Sequence, residues 1–168
     1  AVRLASRPRR LTVYTRDVAA PRISVVIPVY NEAENLDDLH RELTASLQSL
    51  GQPYEIVIVD DGSRDGTEGV LEALAARDPR VRAVSLRRNF GKSAALATGF
   101  RAVRGELVVT LDADLQDDPS ELPRMLAALE GGLDLVSGWK VKRHDPVTKT
   151  LPSKLFNAVT SSVAAPAR

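Results

Sequence analysis

The sequence predicts an α/β domain built on a mainly parallel sheet flanked by helices. Three observations carry this expectation. Short β-branched apolar runs alternate with segments of helical spacing from residue 23 to residue 136. The first run, Ile23–Val29, is continuously apolar, the pattern of a strand buried on both faces, as in parallel sheets. A polar cluster follows each of the first four runs, and the ligand sites of such sheets lie beyond the carboxyl ends of their strands.

The elements follow in order. Ile23–Val29 (ISVVIPV) reads as the first strand. Glu34–Leu50 places Leu36, Leu39, Leu43 and Leu47 at helical spacing and stops at Gly51 with Pro53 beyond. Glu55–Val59 is the second strand. The next helix, capped by Asp65 or Thr67, runs to about Arg77 with Val70, Leu71 and Leu74 inward. Val81–Leu86 is the third strand, Gly91–Val103 an Ala-rich helix and Leu107–Leu111 the fourth strand. Pro119 suits a first helical turn, and that helix runs to about Glu130. Gly131-Gly132 breaks it, and Leu133–Val136 is expected as a fifth strand. No internal repeat or low-complexity segment is present.

Composition narrows the function classes. A chain of 168 residues makes one domain, and 43% hydrophobic residues can build its core. A net charge of +1 argues against a general nucleic-acid binder. With no cysteine, disulfides, thiolate zinc sites and cysteine nucleophiles are excluded. No run approaches the roughly 18 apolar residues of a membrane span, and the N-terminus lacks the apolar middle of a secretory signal. The expectation is a cytoplasmic chain, soluble or peripheral at the membrane. Residues 1–22 hold six arginines against Asp17, so the rest of the chain is net negative. A tail over residues 1–21 reads as disordered and solvated, with attraction to anionic lipid as the alternative. A ligand-binding domain is expected over residues 22–148 and a terminal segment over 149–168.

The chemistry-bearing residues sit after the strands, on one edge of the sheet. Asp112-Ala113-Asp114-Leu115-Gln116 follows the fourth strand. Along an extended segment Asp112 and Asp114 point the same way, with Gln116 if the chain stays extended. Two carboxylates and an amide oxygen suit Mg²⁺ or Mn²⁺. The alternative is a capped turn before the Pro119 helix, which Asp117 and Asp118 also fit. Asp60-Asp61-Gly62-Ser63 follows the second strand, and an acid there can accept bonds from a base or ribose; Asp-Gly is also an ordinary turn. Asn89, Gly91 and Lys92 open a helix, whose amides and added cation attract a pyrophosphate; a solvated lysine is the alternative. Leu86 breaks the P-loop pattern, and no G-x-G-x-x-G is present. Pro28, Tyr30 and Glu32 follow the first strand; Tyr30 can stack on a base or simply pack. His40 is expected on the surface, and His144 has no metal role.

Together ISVVIPVYNEAENL, EIVIVDDGSRDGT, LRRNFGKSAALATGF and GELVVTLDADLQDDP resemble the family 2 glycosyltransferases of GT-A fold. NFGKSAA and DADLQDDP are similar to the polyprenyl-phosphate (dolichol or undecaprenol) sugar transferases. The resemblance covers about residues 22–162. It implies a metal-dependent, inverting transfer of a sugar from a UDP- or GDP-linked donor to a polyprenyl phosphate, with a saccharide acceptor as the alternative. It implies that Pro28, Tyr30, Glu32 and Asp60 surround the base and ribose, with Asp61 beside them. Lys92 would approach the diphosphate, Asp112 would sit beside donor and metal, and Asp114 and Gln116 would ligate the ion. Basic Trp139–Arg143 suits an acceptor phosphate or an exposed loop. Residues 149–163, with Leu151, Leu155, Phe156, Val159 and Val163, imply an amphipathic helix near a membrane or a helix packed on further chain. Members of the family continue past this helix, so the acceptor half is expected to be largely missing, and a nucleotide-sugar-binding remnant without turnover is the other reading.

Overall fold

The computed structural model describes residues 20–138 and the backbone of Val13 and Tyr14. In chain order the elements are β1 (Val13–Tyr14), β2 (Ile23–Val29), α1 (Leu36–Ser49), β3 (Tyr54–Asp60), α2 (Thr67–Arg77), β4 (Val81–Ser85), α3 (Lys92–Ala102), β5 (Leu107–Thr110), a 3-10 turn (Pro119–Glu121) and α4 (Leu122–Glu130). Two compact units divide the chain after Leu135. The first carries all these elements; the described residues of the second, 136–138, form neither helix nor strand. No helix among the described residues is long and apolar enough to cross a membrane.

The sheet runs β1-β4-β3-β2-β5, with β4, β3, β2 and β5 parallel and β1 antiparallel on β4. The chain builds outward from β2 through β3 to β4, then returns to the other side of β2 for β5. That reversal makes a switch point between the carboxyl ends of β2 and β5, where open α/β sheets bind ligands.

Side chains alternate across each strand, and the alternation assigns the two faces. Val25, Ile27, Ile56, Ile58 and Ala83 pack with Leu39 and Leu43 of α1, Leu71 and Leu74 of α2 and Leu126 of α4. Val57, Val59 and Val84 pack with Ala95 of α3 on the other face. Leu36, Leu39, Leu43 and Leu47 are all buried, the stripe their spacing predicts. Each buried leucine of this kind stabilises by about 2 kcal/mol. α3 lies close on the sheet because it presents small residues: a Cβ on Gly99 would meet Val26 Cγ1 at 2.3 Å.

Helix and strand ends differ from the expected ones by a residue or two, the usual fraying range. Three differences are substantive. Leu133–Val136 is not a strand: Leu133 and Leu135 are 58% and 83% exposed. A strand needs a neighbour's ladder, and the chain leaving Gly132 finds no partner edge among the described residues. Within the basic tail, Val13–Tyr14 pairs with Val84 and Ala83 instead of remaining solvated. His40 is half-buried, its Nε2 2.9 Å from Asp78 Oδ2. The tail residues 1–12 and 15–19, Trp139–Arg143, His144 and the 149–163 helix lie outside the described residues.

A buried ion network closes the amino end of the sheet, away from the switch point. Glu55 is 1% exposed and accepts from Ser24 Oγ at 2.8 Å, Arg82 Nη1 at 3.1 Å and Arg104 Nε at 3.0 Å. Burial raises the Glu55 pKa, but these donors and the Arg104 amide outweigh it and hold the carboxyl below its usual range.

Candidate nucleotide and metal site

A cleft of about 330 Å³ opens at the switch point. Pro28, Tyr30, Glu32, Asp61, Lys92, Asp112 and Asp114 line it, with Val29, Asn89, Gly91, Ala95 and Ala113. Strand parity explains the convergence. Val26 lies against α3, so Pro28 and Tyr30 emerge on that face. Val57 and Val59 do the same, which carries Asp61 there and sends Asp60 to the opposite side. Thr110 is level with Val26, so Asp112 and Asp114 follow on the α3 face while Leu111 and Ala113 join the core.

Asp60 is therefore not brought to the cleft wall. It is 3% exposed, and its Oδ1 accepts from Ser63 N at 2.9 Å and Ser63 Oγ at 2.6 Å. Gln116 is not brought there either. Leu115 takes a left-handed turn at φ 56°, so the chain is not extended past Asp114. The Gln116 backbone N–H folds back to donate to Asp114 Oδ1 at 3.1 Å. Among the described residues no group of three or more His, Cys, Asp or Glu side chains gathers as a ready metal site. Asp112 and Asp114 face the cleft as a carboxylate pair from the segment after β5, while Glu32 and Asp61 line it from the segments after β2 and β3. That suits a hard ion such as Mg²⁺ or Mn²⁺, which retains waters and takes phosphate oxygens for its other positions.

Lys92 begins α3. Gly91, its N-cap, has φ 94° and ψ 155°, a conformation that only glycine enters without strain. The α3 N-terminus and Lys92 thus lie together at one corner of the cleft, a combination whose amides and cation suit an anion. The ammonium donates to Asp112 Oδ1 at 2.6 Å and Oδ2 at 2.8 Å. Cation and carboxylate neutralise each other across the cleft.

The loops around the cleft are tied to one another, which sequence reasoning did not foresee. Asn31, at φ 57°, accepts from Arg64 N at 2.9 Å and donates its own amide to Ser63 Oγ at 2.8 Å. The Glu32 amide donates to Thr67 Oγ1 at 3.1 Å, and the Ala33 amide to Asp65 Oδ2 at 3.1 Å. The Thr67 hydroxyl, with the Ala33 and Thr67 amides, holds the Asp65 carboxyl below its usual range. Neither Asp65 nor Thr67, the two expected caps, is the N-cap of α2: that residue is Gly66, at φ 99° and with no side-chain cap bond, and Asp65 and Thr67 instead fasten the loop after β2 to the loop after β3. Ser63 and Asn31 gave a signal only as polar residues in turn positions.

Residues 24–164 match the family model described as glycosyl transferase family 2. The chain belongs to glycosyl transferase family 2. An undecaprenyl-phosphate 4-deoxy-4-formamido-L-arabinose transferase of Pseudomonas fluorescens is 48% identical over 136 residues, 80% of this chain and 40% of that protein. The chain thus spans well under half the length of the curated relatives it matches. A crystal structure of a mycobacterial protein aligns with TM-score 0.62 and 26% identity, over 88% of this chain and 50% of that one. Glucosyl-3-phosphoglycerate synthase of Mycobacterium tuberculosis, solved with Mn²⁺, UDP and glucosyl-3-phosphoglycerate, aligns with TM-score 0.50 and 27% identity, over 66% of this chain and 40% of that one. The fold of this family 2 chain is the GT-A type.

Proposed function

We propose that the chain is the donor-binding part of a transferase that moves a sugar from a nucleoside diphosphate to a polyprenyl phosphate. The observation that carries the reading is the convergence of Asp112, Asp114 and Lys92 on one cleft at the switch point. The name and 48% identity of the Pseudomonas relative favour the lipid phosphate as acceptor.

Pro28, Tyr30 and Glu32 form the wall for base and ribose, and Tyr30, 45% exposed, offers its ring for stacking. Lys92 and the α3 amides receive the diphosphate. A divalent ion, Mg²⁺ or Mn²⁺, bound by Asp112 and Asp114, would offset the charge that develops on the leaving diphosphate. Lys92 acts on the same charge, and its approach to the phosphates requires it to leave Asp112. The reaction is a displacement with inversion: the bond from the anomeric carbon to the diphosphate oxygen breaks and its electron pair leaves with the nucleotide. A lipid-phosphate oxygen forms the new bond from the opposite side. That acceptor is already an anion, so Asp112 need not remove a proton.

The test is incubation of the chain with UDP- and GDP-sugars, Mn²⁺ and undecaprenyl phosphate, with extraction of the lipid product. Sugar on the lipid phosphate supports the proposal. Product only with saccharide acceptors overturns the acceptor assignment, and metal-dependent nucleotide binding without product limits this chain to donor binding.

A further inference from the structure

Lys92 stands between two ligands at one corner of the cleft. Its ammonium donates to Oδ1 of Asp112 at 2.6 Å and to Oδ2 at 2.8 Å, so both oxygens of that carboxylate face a cation. A divalent ion at Asp112 would sit about 2 Å from one of those oxygens. Ammonium and ion would then crowd the same carboxylate, and their repulsion favours one occupant at a time. Asp114 carries no such cation: it makes no ion pair with a described residue, and its Oδ1 accepts the Gln116 N–H.

The pair can exchange partners at little cost. The Lys92 side chain is 60% exposed and that of Asp112 38%, so water takes over each group as they part. A buried pair would leave a stranded charge on separating. The backbone of the carboxylate stays held, because the Asp112 N–H donates to Asp117 Oδ2 at 3.2 Å. The lysine moves on a flexible stem. Its second partner arrives nearby, since Lys92 is the first residue of α3 and anionic oxygens gathered by the α3 N-terminus come in beside it.

We propose that Lys92 makes the divalent ion and the nucleoside diphosphate enter the cleft together. Paired with Asp112, the lysine holds off an ion that comes alone. Drawn onto the diphosphate, it releases Asp112 to join Asp114 in holding the ion. The ligand of the cleft is therefore the ion–diphosphate complex rather than either part in turn. The diphosphate half rests on the donor-binding reading, and the exclusion of the ion rests on the Lys92–Asp112 geometry alone.

Two affinities for Mn²⁺ test it, both read from free Mn²⁺ by electron paramagnetic resonance. One is for the chain alone and one for the chain saturated with UDP or GDP, corrected for ion held by free nucleotide. Their ratio is the coupling, and the same factor should appear in the nucleotide Kd with and without Mn²⁺. In Lys92→Met, the chain alone should bind Mn²⁺ roughly fivefold tighter, and the coupling should shrink by a similar factor. The coupling that remains is the direct attraction of ion and phosphates. Lys92→Arg keeps a cation at the carboxylate and should keep the weaker Mn²⁺ binding of the parent.

Unchanged or weaker Mn²⁺ binding by a folded Lys92→Met chain would overturn the proposal. So would equal tightening in Lys92→Arg, or a coupling of the same size with and without the lysine. If the parent binds neither nucleotide, the donor-binding reading fails, while Mn²⁺ binding by the chain alone still decides whether Lys92 excludes the ion.

Discussion

Replacing Lys92 by Met should separate stability from binding. The lysine is 60% exposed and Asp112 38%, so their ion pair is screened by water despite contacts of 2.6 and 2.8 Å. Exposed pairs contribute about 0–1 kcal/mol, so urea unfolding of Lys92→Met should differ from the parent by less than about 1 kcal/mol. The diphosphate loses a charge-assisted bond, about 1.5–3 kcal/mol, which is roughly a 10- to 150-fold weaker Kd for UDP or GDP. Mn²⁺ alone should move the other way. Removing a nearby cation from the neighbourhood of a divalent ion in a watery, salt-screened cleft relieves on the order of 1 kcal/mol of repulsion, and Asp112 no longer has to exchange partners. The Mn²⁺ affinity of the nucleotide-free chain should therefore rise roughly fivefold, read from free Mn²⁺ by electron paramagnetic resonance. Unchanged nucleotide affinity in a folded Lys92→Met chain would refute the phosphate role. Weaker Mn²⁺ binding would refute the competition between Lys92 and the ion for Asp112.

Other consequences follow from residues away from the cleft and at its rim. Burial raises the Asp78 pKa, but bonds from Arg80 and His40 outweigh it and lower it from 3.8 to about 2. A depressed carboxyl stabilises the fold above its unfolded pKa, so about 2 kcal/mol should be present at pH 7 and lost as pH falls from about 4 through 2. Asp78→Asn should cost about that much in urea at pH 7 and little at pH 2. Glu55→Gln leaves Arg82 and Arg104 at the closed end of the sheet without their anion, and should cost about 3 kcal/mol in urea. Nucleotide affinity in the surviving folded fraction should be unchanged. Leu115→Asn puts a residue that tolerates the left-handed turn at φ 56°, and should raise stability by up to about 1 kcal/mol in chemical denaturation.

Periodicity carried most of the framework. The Leu36-Leu39-Leu43-Leu47 stripe and the four apolar runs stand where their spacing places them, because burial on one or two faces leaves a direct imprint on residue order. β1 left none: two residues among arginines pair through backbone groups that any sequence has. Leu133–Val136 had the imprint without the partner. In the cleft, residue type was legible and direction was less so. Asp60 and Asp61 are equivalent as letters, yet counting from Val57 and Val59 would have sent Asp61 to the α3 face. The turn at Leu115 was not readable, since leucine is a poor residue for that conformation. Nor was the bonding of Asp61 to Phe90 and Gly91, which joins residues about thirty positions apart through main-chain amides.

The most direct test of the donor-site account is calorimetric titration of UDP and GDP with and without Mn²⁺, for the parent chain and for Asp114→Ala. The account predicts metal-dependent binding of one nucleotide and its loss in Asp114→Ala, which should unfold at the same urea concentration because Asp114 is exposed. Binding of neither nucleotide by the folded parent, or metal-dependent binding untouched in Asp114→Ala, would contradict it.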